Sequence, residues 1–191
     1  MCLTSVHFPS SELKNEIEKI IKPLKDQFPE PYYYDFDSLH LTIKNIRVIN
    51  DPPHFTTEDI KKAEKVFSRI VPKHSKFKVY FYRLLLFPNN LALIGTTDSE
   101  SDNIIIDIDA GLKSAGVGDD KKYVNSKYFI SNVTLARFNK PVSQEFKDLV
   151  EKLSKGVNLE PYLVDSVSLI TTNAVLKKLH VINSWKLGSG H

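Results

Sequence analysis

The sequence predicts an α+β domain of two lobes related by an approximate twofold axis. Three observations carry this. Strand and helix periodicities alternate along the chain in the order β-α-β-α-β-β-α-β-α-β-β. Each half contains a strand of similar design, "LHLTIKNI" from Leu39 to Ile46 and "SNVTLARF" from Ser131 to Phe138. The length, 191 residues, suffices for one good core and is short for two.

Taken in order, Leu3 to Phe8 reads as a short strand ended by Pro9 and Ser10. Leu13, Ile17, Ile20, Ile21 and Leu24 recur at helical spacing and predict an amphipathic helix over Ser11 to Gln27, which Pro23 should kink or shorten. "PEPYYYDFD" is a turn-rich connection, and "SLHLTIKNIRVI" alternates as a strand. After the loop "NDPPH", "TTEDIKKAEKVFSRIV" predicts a helix capped by Thr56 or Thr57, with acidic residues in its first turn. "FKVYFYRLLLF" and "LALIGTT" are strands joined at Pro88, Asn89 and Asn90, a hairpin signal. "SESDNIIIDIDAGLKSAG" predicts a third helix ending near Gly116 to Gly118. "KYFISNVTLARF" is a strand, and "SQEFKDLVEKLSKG" a helix between a Ser143 cap and Gly156. "YLVDSVSLITT" and "LKKLHVINSWKL" are the last two strands.

Hydrophobic residues at 41% and charged residues at 26% are ordinary for a globular domain. A net charge of +3 permits an anionic ligand without requiring one. The lone Cys2 excludes an internal disulfide framework and fits a reducing, cytoplasmic setting. "MCLTSVHFPS" lacks the basic region of a secretory leader, and no apolar run reaches the length of a membrane span. The expected organisation is one bilobal, monomeric domain over residues 1–187, with residues 188–191 resembling a linker or tag remnant.

The two similar strands carry the chemistry. Alternate side chains of a strand share a face, so His40, Thr42 and Lys44 are expected on one side, and Asn132, Thr134 and Ala136 likewise. Arg137 is then expected on the opposite face, reaching an anion only through strand twist or a loop. An imidazole transfers protons near neutral pH, a threonine hydroxyl donates to a phosphate oxygen, and a lysine supplies charge. Two such strands facing each other would clasp one phosphate from both sides. That geometry suits phosphodiester cleavage, in which one group takes a proton from water and another gives one to the leaving oxygen. No metal or other cofactor is needed if hydroxyls and cations hold the charge.

"HLTIKNI" and "NVTLARF" resemble the paired His-x-Thr-x motifs of the two-histidine (2H) phosphoesterases, which include 2′-5′ RNA ligase-like proteins and cyclic nucleotide phosphodiesterases. The opening strand and helix and the closing pair "VDSVSLITT" and "HVINSWKL" fit the same family, so the likeness covers most of the chain. It implies two antiparallel sheets flanking a central cleft, with the helices outside and one motif strand from each lobe. It also implies His40 as general acid or base and Thr42 and Thr134 as phosphate ligands. The partners implied are RNA ends or small nucleotides bearing a cyclic or terminal phosphate. Asn132 stands where the family carries its second histidine. An amide holds a phosphate but does not titrate at working pH. Asn132 could be a substitution made to trap a ligand, a natural change in a protein that binds without turnover, or one compensated by another proton donor. The function expected is metal-independent chemistry on 2′,3′-cyclic phosphates or 2′-5′-linked RNA or nucleotide ends, impaired by Asn132. The alternative is a catalytically silent binding module for RNA ends or nucleotide phosphates.

Blander roles compete for the remaining candidates. His180 sits where the family often has an aromatic at the cleft, yet equally suits a surface strand, as does His7. His54 and His74 read as solvent-exposed loop residues. The six histidines show no metal-ligand spacing. "PYYYDF" can stack a base or fill the core.

Overall fold

The computed structural model describes residues 1–120 and 130–188. The strands are β1 (Cys2–His7), β2 (Tyr32–Tyr33), β3 (Leu41–Arg47), β4 (Phe77–Phe87), β5 (Asn90–Thr97), β6 (Ser131–Arg137), β7 (Tyr162–Val164), β8 (Ser166–Thr172) and β9 (His180–Lys186). The helices are α1 (Ser11–Gln27), α2 (Thr57–Ile70), α3 (Ser99–Ser114) and α4 (Gln144–Lys155). The part of the expected fifth strand before Ile130 lies outside the described residues.

The strands form one curled antiparallel sheet in the order β7-β4-β5-β6-β3-β1-β8-β9, with β2 added beside β6. Its two four-stranded halves, β7-β4-β5-β6 and β3-β1-β8-β9, meet at one paired position, Leu41–Val133. These halves are the two expected lobes, joined into a single sheet rather than standing as two separate ones. α4 packs on β4 and against α1, whereas α2 packs on α3 and β9. α4 thus shelters the β4 half and α2 the β9 half, α3 touches both β3 and β4, and the motif strands lie at the seam.

Local chemistry explains the elements. Thr56 and Asp59 form a reciprocal capping box at the start of α2, and the Ser143 hydroxyl accepts from the Phe146 amide at 3.2 Å to start α4. Of the two effects expected of Pro23, a kink or a shortening, the shortening does not occur: α1 runs from Ser11 to Gln27, with its stripe of Leu13, Ile17, Ile21 and Leu24 buried. Gly116, at φ 70°, takes the left-handed turn that closes α3. The expected strand over Tyr162 to Thr172 divides at Asp165, whose carboxylate pairs with Lys186 at 2.9 Å. Among the described residues no helix is long and apolar enough to cross a membrane.

Candidate active site

The Leu41–Val133 pair sets the register of the site. Carried one residue each way along antiparallel strands, it sets His40 level with Thr134 and Thr42 level with Asn132. Side chains so placed have Cβ atoms ~4.5–5.5 Å apart. All four line one cleft of about 890 Å³ between the lobes. His40 and Asn132 occupy one diagonal of this square and the two threonines the other.

His40 is 9% exposed. Its Nδ1 lies 2.8 Å from the carbonyl oxygen of Ser38. A carbonyl only accepts, so Nδ1 carries the proton and Nε2 keeps its lone pair. Burial holds the imidazole below its ordinary pKa of 6.5; the Ser38 bond opposes that shift, and the Arg137 cation adds to it. His40 is thus neutral at neutral pH and suited to accept a proton. The side chains of Thr42, Thr134 and Asn132 have no hydrogen-bond partner among the described residues, leaving two hydroxyls and an amide open to a ligand.

Regular alternation fails on both motif strands, for the same reason. In β3, Val6 pairs with Thr42 but Ser5 pairs with Lys44, so Ile43 is an extra, bulged residue. Lys44 is turned away from the cleft and fully buried, 2.9 Å from Asp109 and 2.6 Å from Asp119. The expectation that Lys44 shares the face of His40 and Thr42 is therefore wrong. In β6, Leu91 pairs with Ala136 but Ala92 pairs with Thr134, so Leu135 is bulged. That brings Arg137, not Ala136, onto the cleft lining.

Arg137 donates through Nε to the Tyr34 hydroxyl at 2.8 Å, and that hydroxyl donates to the Ala174 carbonyl at 2.7 Å. The Tyr34 ring also meets His40 edge-on, with centroids 6.0 Å apart. One buried tyrosine thus braces both the base and the cation. Asn45 and Arg47 line the cleft as well, with the Arg47 Nη1 2.6 Å from Asp120. Alternation alone does not place Asn45 and Arg47 at the cleft, because the bulge after Thr42 has no signature in the sequence, and nothing separates Tyr34 from the other rings of its run.

The other described histidines lie elsewhere. His180 is exposed on β9 and outside the cleft lining. His7 is buried, with Nδ1 2.9 Å from the Ser166 carbonyl and Nε2 2.9 Å from the Tyr162 hydroxyl. His74 is not the exposed loop residue expected: it is buried between Glu100 at 2.9 Å and Asp107 at 3.2 Å. His54 is exposed, as expected, although its Nε2 lies 2.6 Å from the Asn50 amide. Among the described residues no group of three or more His, Cys, Asp or Glu side chains is placed to hold a metal. A second hollow, about 1010 Å³ between α1 and the segment entering β7, lacks the motif residues. Its lysines are engaged with neighbouring carboxylates, as in Lys22–Asp26.

The same architecture is found in solved structures of low sequence identity. A crystal structure described as a phosphoesterase superposes with a TM-score of 0.64 at 14% identity, covering 98% of each chain. TT0787 of Thermus thermophilus gives 0.62 at 16% identity over 100% of both chains. E. coli LigT complexed with phosphate gives 0.62 at 13% identity, covering 98% of this chain and 97% of that one. No family model matches the sequence, and no curated protein matches it. The chain has the 2H phosphoesterase fold, and its two motif strands form the seam of that fold.

Proposed function

We propose that the cleft binds a phosphodiester at a nucleotide or RNA end, chiefly a 2′,3′-cyclic phosphate. His40 then turns it over slowly as general base without a metal. The observation that carries this reading is the square of His40, Thr42, Asn132 and Thr134 at the Leu41–Val133 pair. Thr42, Thr134 and the Asn132 amide donate to the phosphoryl oxygens, and Arg137, held by Tyr34, supplies positive charge. His40 Nε2 takes the proton of the attacking water. Asn132 cannot protonate the leaving oxygen, so that step falls to solvent, and general acid assistance of ~10²- to 10⁴-fold is forgone. The solved structures of E. coli LigT with phosphate and with 3′-AMP support a nucleotide-sized anion as ligand for this fold.

The unpartnered amide at position 132 also favours a second reading, a binding module with no turnover. One experiment separates the two: binding and hydrolysis of a 2′,3′-cyclic nucleotide in excess chelator, for the parent, Thr42→Val with Thr134→Val, and His40→Ala. The proposal expects binding that the double valine variant loses, and slow turnover that His40→Ala abolishes. Binding without any turnover selects the module. Turnover that disappears in chelator and returns with a divalent metal contradicts both readings.

A further inference from the structure

One face of β4 carries aromatic and cationic side chains that the cleft does not use. Tyr80 and Tyr82 are 39% and 47% exposed, and Lys78 and Arg83 are exposed beside them. The register places them on the clasp face of the sheet. Arg83 pairs with Ile94 and Ile94 with Asn132; in the next row Leu85 pairs with Ala92 and Ala92 with Thr134. Paired residues share a face, so Arg83 and the motif side chains project to the same side. Tyr80 joins them through its pairing with Thr96, two residues from Ile94, and Thr96 itself lines the cleft. Tyr82 is the extra residue of a bulge between the Phe81–Gly95 and Arg83–Ile94 pairs, which turns its ring to the same side as Arg83.

The charges of this surface are uncommitted. Lys78 and Arg83 make no ion pair among the described residues. Asp98 is the nearby carboxylate, and it is engaged on both oxygens. Oδ1 accepts from the Tyr80 hydroxyl at 3.0 Å and Oδ2 from the Lys78 amide at 2.8 Å, which fixes the Tyr80 ring. β4 lies two strand spacings from β6, or ~10 Å, so one strand of nucleic acid can occupy both places.

We infer that the Tyr80–Tyr82–Arg83 face of β4 is a stacking platform for single-stranded RNA whose terminal phosphate sits in the cleft. The inference rests on the phosphodiester reading of the cleft and narrows its substrate from a mononucleotide to the end of an oligonucleotide. Aromatic rings accept the face of any base, so the platform is tolerant of sequence, and the two cations follow the backbone.

The test measures binding of a 5′-fluorescein-labelled oligoribonucleotide ending in a 2′,3′-cyclic phosphate by fluorescence anisotropy. The matching cyclic mononucleotide is measured by competition. Tyr82→Ala should weaken the oligonucleotide about tenfold and leave the mononucleotide unchanged, while Tyr82→Phe should keep both. Lys78→Ala with Arg83→Ala should lower the salt slope by about one to two. Equal oligonucleotide affinity for Tyr82→Ala and the parent would overturn the platform, as would parental affinity no tighter than for the mononucleotide. So would concentration-dependent dimerisation that Tyr82→Ala abolishes, which assigns the face to a second copy of the chain. If the cleft reading fails instead, the mononucleotide does not bind and Thr42→Val with Thr134→Val leaves the oligonucleotide unaffected. Sensitivity to Tyr82→Ala would then persist.

Discussion

Arg137 is tied to Tyr34 by a 2.8 Å bond from Nε to the phenolic oxygen, which leaves the two Nη groups of the guanidinium for a ligand. Tyr34 is 1% exposed and anchored in turn on Ala174, so the cation is aimed by a buried group rather than by a solvent-facing chain. Tyr34→Phe keeps the ring against His40 and removes only the hydroxyl. It should weaken binding of a cyclic nucleotide about 2- to 10-fold, the value of one hydrogen bond. A loosened Arg137 should also let the His40 pKa rise toward its ordinary value, because that cation is one of the groups depressing it. NMR titration of His40 distinguishes this positioning role from a general loss of packing.

Lys44 distinguishes what alternation predicts from what the bulge produces. With Asp109 and Asp119 as its partners, it belongs to the contact between β3 and α3. Lys44→Met should destabilise the fold by ~3 kcal/mol, the lower end of the cost of breaking a buried pair. The lower end applies because Asp109 retains solvent. Urea unfolding reads this directly, and the folded variant should bind nucleotide as the parent does. A stable variant with lost affinity would return Lys44 to the cleft.

The four helices and the two motif strands are legible in the sequence, because alternation and helical periodicity are local properties; the two-residue β2 and the break between β7 and β8 at Asp165 are not. Nor is the side on which Lys44 and Arg137 fall. Single bulged residues at Ile43 and Leu135 invert the alternation after each threonine, and neither leaves a compositional mark. His74 reads from the sequence as an exposed loop residue because its partners, Glu100 and Asp107, come from α3, far along the chain. Tyr34 was one ring in a run of three. Its neighbour Tyr33 bonds the Phe28 carbonyl on the helix-covered side, and only tertiary structure separates the two roles.

Acid should destabilise the protein through its buried histidines. Burial depresses the pKa of both His7 and His40 in the folded state. The unfolded chain therefore takes up protons first as pH falls below the ordinary value of 6.5. Their contribution is complete above that value and lost as pH drops toward the folded pKa values. The urea midpoint should fall between about pH 7.5 and about pH 5.5, and His7→Gln should flatten the decline. A midpoint unchanged across this window would mean that the two imidazoles are not held neutral.

On the proposed reading, His40 and the phosphate grip are in place and the second proton-transfer group alone is missing. The most direct measurement is the pH dependence of 2′,3′-cyclic nucleotide hydrolysis by Asn132→His against the parent. Asn132→His should gain ~10²-fold or more, with a single-limbed profile in the parent becoming bell-shaped in the variant, since one imidazole must be neutral while the other is protonated. A folded Asn132→His protein that binds the nucleotide, gains no rate and shows no second limb would contradict that reading.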